Sequence, residues 1–112
     1  MRGFVRLSLL AVVSCSWAAV AAPKNQVTED KTAQELREFV VQDCGSCHGS
    51  TLEGGLGPDL LPARMKAFAD KYLQQVIGDG LPGTAMPPWR FLLSPNDITV
   101  VTKGLKNGAF VD

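Results

Sequence analysis

The chain reads as all-helical and as one small domain, on three observations. Apolar residues recur at helical spacing in segments that open with N-cap signals. Clusters of glycine and proline punctuate those segments. No alternating apolar–polar run is long enough for a strand, and no internal repeat is present.

Taken in order, the first residues carry an export pattern. Arg2 and Arg6 form a positive start, Leu7 to Val13 an apolar run, and Ala19-Val20-Ala21 a small-x-small cleavage signal. Residues 1–21 are therefore expected to be a signal peptide cut after Ala21. A retained anchor is disfavoured, because a span needs about 20 predominantly apolar residues and Ser14, Cys15 and Ser16 interrupt this one. Val12-Val13-Ser14-Cys15 also resembles a lipoprotein signal, which would anchor the chain through a lipidated Cys15. The apolar segment Trp17 to Ala22 argues against that rival. The 112 residues hold 11 basic and 11 acidic side chains, so losing Arg2 and Arg6 leaves a slightly acidic chain. Nucleic-acid binding, which calls for a basic patch, is not indicated.

Residues 22–31 read as a flexible polar lead, and 32–112 as the folded domain. Thr32-Ala33-Gln34-Glu35 is a capping box, in which the threonine and the glutamate satisfy each other's early N–H groups. Leu36, Phe39, Val40 and Asp43 follow at helical spacing, so a helix is expected from about Ala33 into the segment at Cys44. Gly49 to Pro62 is a loop rich in glycine, with Pro58 and Pro62 as breakers. Ala63 to Phe68 suits one or two helical turns. Asp70 to Ile77 predicts a short helix with Tyr72, Leu73, Val76 and Ile77 on its buried side and Gly78 as its stop. Asp79 to Pro88 is again loop. Ser94-Pro95-Asn96-Asp97 is a strong helix start, with a serine N-cap and proline at the first position. Ile98, Val101 and Leu105 share one face of that helix, Lys103 and Lys106 complement its dipole, and Gly108 ends it.

The chemistry concentrates in Cys44-Gly45-Ser46-Cys47-His48. Two cysteines three apart with a histidine directly after read as a covalent attachment site for c-type haem. The thiols add to the two vinyl groups of the porphyrin, and the adjacent imidazole is placed to ligate the iron. His48 is the sole histidine. Of three cysteines, cleavage leaves these two, so no disulfide framework remains. A thioredoxin-like pair would need a βαβ context, and a zinc site would need further Cys or His ligands; the chain has neither. A chain this small also gains from a large apolar group as part of its core.

With one histidine, a bis-histidine haem is excluded, and Met65 and Met86 are the candidate sixth ligands. Met86 lies in Gly83-Thr84-Ala85-Met86-Pro87-Pro88-Trp89, where the prolines suppress helix formation and stiffen one side of the loop. Met65 lies in a helical segment, where methionine commonly fills core. Met86 is therefore the preferred ligand, with Met65 or an open site as alternatives.

These features closely resemble the class I cytochrome c family over nearly all of residues 32–112. The shared elements are an N-terminal helix running into Cys44-x-x-Cys47-His48, the Gly57-Pro58-Asp59-Leu60 segment, the methionine loop and a C-terminal helix. The resemblance implies three to five helices wrapped around one covalent haem, His48/Met86 ligation as in cytochromes c, and a Pro58 carbonyl that accepts a hydrogen bond from His48. More narrowly, Leu81 to Trp89 and Arg90-Phe91 are similar to the small NirC-type periplasmic cytochromes of denitrifying bacteria. That likeness implies a periplasmic electron donor to haem-cd nitrite reductase, or a maturation factor that handles tetrapyrrole for that enzyme's special haem. Electron transfer rather than enzymatic catalysis is expected of a six-coordinate haem. A labile Met86 would redirect the reading to sensing or haem chemistry. Partner contact should be small and transient, and the protein a monomer.

One departure stands out. Where the family has glycine and an aromatic in the N-terminal helix, this chain has Leu36 and Val40, and Gly104 replaces the usual C-terminal aromatic. Leu36 packing over Gly104 would conserve the volume of that crossing. Trp89 and Phe91 are expected to pack on haem or core. Arg64, Lys66, Lys71 and Arg90 carry no assigned role.

Overall fold

The computed structural model describes residues 29–112, so the expected signal segment and cleavage site, Cys15 and most of the expected lead lie outside the described residues. Helix α1, Ala33–Phe39, opens at the capping box: the Glu35 N–H donates to Thr32 Oγ1 at 3.3 Å, and the Thr32 N–H donates to Glu35 Oε2 at 2.8 Å. The helix does not run regularly into the cysteines. A π turn at Val40–Cys44, closed by the Gly45 N–H on the Val40 carbonyl, widens it before α2, Gly45–His48, resumes. The extra residue of a π turn rotates the next helical turn about the axis, and such turns recur at functional sites. Here it lets Leu36 and Val40 face the core while the cysteine turn is aimed separately.

Helix α3, Pro62–Met65, is one turn with proline at its first position, shorter than expected. Its Met65 is 4% exposed and belongs to the core. Helix α4, Asp70–Asp79, runs past Gly78, which is buried within it, with Ile98 Cδ1 3.5 Å from where a side chain would begin. Gly78 thus lets α4 approach the last helix, and Gly80, at φ +72°, ends α4 in its place. Tyr72 also departs from expectation: it is 48% exposed and stacks on Phe68, while Leu73 and Ile77 supply the buried face. Helix α5, Pro95–Asn107, starts at a second capping box between Ser94 and Asp97 and ends at left-handed Gly108. No strand occurs among the described residues.

The core joins Leu36 and Val40 of the first helix, Leu73 and Ile77 of α4, and Ile98, Val101 and Leu105 of α5, each worth about 1.5–3 kcal/mol when fully buried. The space at Gly104 is not filled by Leu36 from across the crossing. The ring of Phe110 lies directly over it, so that any side chain at Gly104 would run into the aromatic. Five residues separate the two, and the left-handed turn at Gly108 folds the tail back. Arg37 then ties α1 to that tail, donating to the Ala109 carbonyl at 2.8 Å and pairing with Asp112 at 2.6 Å. At the other end, Asp30 and Lys31 are held rather than loose. Ser94 Oγ donates to Asp30 Oδ1 at 2.5 Å, and the Lys31 N–H donates to the fully buried Asp97 at 2.9 Å.

Candidate functional site

Cys44, the last residue of the π turn, and Cys47 and His48 of α2 follow one another within five residues, all half-buried. Burial, with Asp43 alongside, pushes the Cys44 thiol up to about 11. It therefore stays protonated at neutral pH, and a thioether in its place would have no proton to lose.

The loop after α2 folds back onto that turn. The Gly57 N–H donates to the Cys47 carbonyl and the Gly54 N–H to the His48 carbonyl, both at 2.8 Å, which satisfies acceptors a helix end leaves open. Leu52 pins the loop: it is fully buried despite a φ of +60°, a conformation costly for a branched side chain. The fold-back brings Gly57 against the imidazole, where a Cβ would lie 2.7 Å from His48 Cε1 and 2.8 Å from Nδ1. Only glycine leaves room for the ring there. The next residue, Pro58, sets its carbonyl oxygen 2.6 Å from His48 Nδ1. A carbonyl can only accept, so Nδ1 carries the proton and Nε2 keeps a free lone pair. That is the tautomer a metal-binding imidazole needs.

Asp59 comes next. Its Oδ2 accepts from Arg64 Nε at 2.8 Å and its Oδ1 from the Leu61 N–H at 3.3 Å. The hydrogen bond from Arg64 holds its carboxyl below the usual carboxylate range.

Met86 is half-buried in a second loop, anchored where α4 ends. The Leu81 N–H donates to the Met86 carbonyl at 3.2 Å, the Thr84 hydroxyl to the Leu81 carbonyl at 2.7 Å, and the Met86 N–H to Thr84 Oγ1 at 3.3 Å. Trp89 and Arg90 close the loop by donating to the carbonyls of Ile77 and Gly78. Trp89 also meets Phe39 edge-on, with ring centroids 5.1 Å apart, and so stitches the methionine loop to the helix leading into the cysteines. Phe91 does not pack on the protein core; it is 74% exposed. Arg90 pairs with Asp79 and donates to the Gly78 carbonyl.

Cys44, Cys47, His48 and Pro58 thus share one cluster, and Met86 stands in a separate loop. The sequence reading missed Gly57, whose role depends on how the loop folds back; the Gly-Pro pair was its only signal. It named Asp59 only as part of the Gly57–Leu60 segment and gave Arg64 no role.

The family described as cytochrome c oxidase, cbb3-type, subunit III matches residues 31–103. Cytochrome c55X of Paracoccus denitrificans is 47% identical over 92 residues, covering 82% of this chain and 84% of that protein. The chain belongs to the cytochrome c family. This cytochrome is also 37% identical to cytochrome c55X of Pseudomonas aeruginosa over 81% of its length and 74% of the relative's. Among solved structures it resembles the c-type cytochrome NirC, with a TM-score of 0.70 and 39% identity, covering 73% of this chain and all of that one. It further resembles 15% of the dihydro-haem d1 dehydrogenase NirN in complex with DHE, at 29% identity and a TM-score of 0.58 over 62% of this chain. Fold and family agree on a class I cytochrome c whose cofactor is covalent haem c. The residues fit that group: Cys44 and Cys47 match its attachment motif beside an imidazole with a free Nε2.

Proposed function

We propose that this cytochrome is a periplasmic one-electron carrier that donates electrons to haem-cd nitrite reductase. Cys44 and Cys47 would hold the haem as thioethers. His48 Nε2 and the Met86 sulfur would hold its iron. When bound, the haem supplies a reversible ferric–ferrous couple, and thioether ligation favours the ferrous state relative to bis-histidine.

The observation that carries this reading is the His48 imidazole, set against Gly57 with Nδ1–H on the Pro58 carbonyl. That bond fixes ring orientation and raises basicity at Nε2. Met86 supports it from a loop whose backbone is already closed on α4. The export pattern of residues 1–21 supports the periplasm, and no helix among the described residues is long and apolar enough to cross a membrane. The 39% identity to NirC supports the setting.

The test is spectroscopic. Oxidised holoprotein should show the weak far-red band of thioether-to-iron charge transfer. Met86→Ala should abolish it, admit carbon monoxide to the ferrous form and lower the reduction potential. Met65→Ala should keep the band and cost about 2–5 kcal/mol of stability. Rapid carbon monoxide binding by the unaltered protein would defeat the carrier reading in favour of sensing or catalysis. A second reading, tetrapyrrole handling during maturation of that nitrite reductase, draws on the likeness to part of NirN. A nitrite reductase that lacks its special haem when the cytochrome is deleted would favour it. Fast oxidation of the reduced cytochrome by complete nitrite reductase would favour the carrier.

A further inference from the structure

His48 depends on one carbonyl, and that carbonyl has one soft hinge. The pyrrolidine ring of Pro58 locks φ, so the orientation of the Pro58–Asp59 peptide plane is left to ψ of Pro58 and to Asp59. The Asp59 side chain is held twice. One oxygen receives the Leu61 N–H at the start of α3 and the other receives Arg64 Nε from within α3. Arg64 is followed by Met65, which sinks into the core and fixes the turn. The chain of support runs from the core through α3 and Arg64 to Asp59, and so to the carbonyl that faces Nδ1 at 2.6 Å.

We infer that Asp59 and Arg64 act as a positioning clamp: they hold the Pro58 carbonyl on the His48 ring and thereby set the electron donation of the imidazole to iron. The inference rests on His48 ligation as proposed above. The Asp59 carboxyl is ionised at neutral pH even at its ordinary value, and the hydrogen bond from Arg64 lowers it further, so the clamp stays engaged there. An exposed ion pair of this kind adds little to stability, and Arg64 is about half exposed. Its worth lies in direction rather than in folding energy. A loosened carbonyl weakens the Nδ1–H bond, makes Nε2 a poorer donor, and destabilises ferric relative to ferrous iron.

The decisive experiment measures reduction potentials of holoprotein carrying Asp59→Asn, Arg64→Gln, both together, or Arg64→Lys. Simple electrostatics predicts opposite shifts, because one change removes a negative charge near the iron and the other a positive one. The clamp predicts an upward shift from both. It further predicts a double variant shifted no further than the larger single one, since the two residues act through one bond. Arg64→Lys should restore most of the original value. Exchange of the His48 Nδ1–H, followed by proton NMR, should quicken in Asp59→Asn and Arg64→Gln alike. Unchanged low-spin spectra in every variant would show that ligation and fold are intact. Opposite shifts, or unaltered potentials with intact spectra, would overturn the clamp while leaving the ligation standing. An unaltered protein without a histidine-ligated spectrum would remove the ligation, and the clamp with it.

Discussion

The two loops that serve the proposed iron ligands, one folded against His48 and one holding Met86, are built in different ways. The loop from Gly49 to Leu61 is stitched into the fold. Its backbone donates into the last carbonyls of α2, and Leu52 is fully buried beneath it. The loop from Leu81 to Trp89 is fastened at its two ends, and between them Leu81 to Ala85 are all exposed. One loop is pinned to the core through Leu52, whereas the other is a strap between fixed points. A strap opens at less cost than a core segment, because local opening scales with the contacts that must be lost. The histidine side should therefore stay in place through every excursion that releases the methionine.

The largest effect should come from attacking the buried side. Leu52→Ala removes a fully buried side chain and should lower unfolding free energy by about 2–5 kcal/mol, read from denaturant midpoints. Loosening under the Pro58 segment should accompany it, seen as faster exchange of the His48 Nδ1–H. If Leu52→Ala instead left stability untouched, the histidine loop would be no more core than the methionine loop.

Thr84→Ala should give a smaller change of a different kind. It deletes the hydroxyl that bridges the Leu81 carbonyl and the Met86 N–H. Stability should fall by about 0.5–1.5 kcal/mol at most. Carbon monoxide should nevertheless bind ferrous protein faster, because the strap is slack. A faster rate from Leu52→Ala than from Thr84→Ala would reverse the comparison.

The features legible in the sequence are those whose interactions are short in range. The starts of α1 and α5 are readable, because the Thr32/Glu35 and Ser94/Asp97 boxes are local chemistry written within four residues. The attachment motif was readable for the same reason. The π turn was not, since one extra residue between Val40 and Gly45 leaves the apolar spacing nearly unchanged. Gly78 looked like a stop because glycine usually ends helices; only its contact with Ile98 on α5 reveals a packing role. Tyr72 fitted the helical stripe, yet Phe68 on the preceding turn offered a stacking partner at the surface. Phe110 went unassigned because its target, Gly104, becomes accessible only after the chain reverses at Gly108. In the site, the identity of His48 and Met86 as candidates was clear from counting. The contact of Gly57 with the ring and the Asp59–Arg64 pair required the loop's path.

Acid should produce the smallest effect, and on both halves of the molecule. Glu35 is lowered by its hydrogen bonds to Thr32, and Asp59 by the hydrogen bond from Arg64. A depressed carboxyl contributes stability that is fully present above its unfolded value, ordinarily 4.5 for Glu35 and 3.8 for Asp59. That contribution is lost as pH falls through the still lower folded values. Thermal midpoints should thus be flat from neutral pH to about 5 and decline below. Glu35→Gln should flatten part of that decline; an identical acid profile in the variant would remove the capping box as a cause.

The fold is finished by its far end. Arg37 and the Ala109 carbonyl stand 72 positions apart in the chain, and Phe110 closes the core beside them. Contacts of such long separation form late, because closing a long loop must precede any gain from the contact. During synthesis, the turn holding Cys44 and Cys47 is made well before the segment that seals the domain. The thiols thus face solvent on a locally shaped but globally unfinished chain. Covalent chemistry at the two thiols therefore needs no opening of the finished protein, provided it acts before that segment closes.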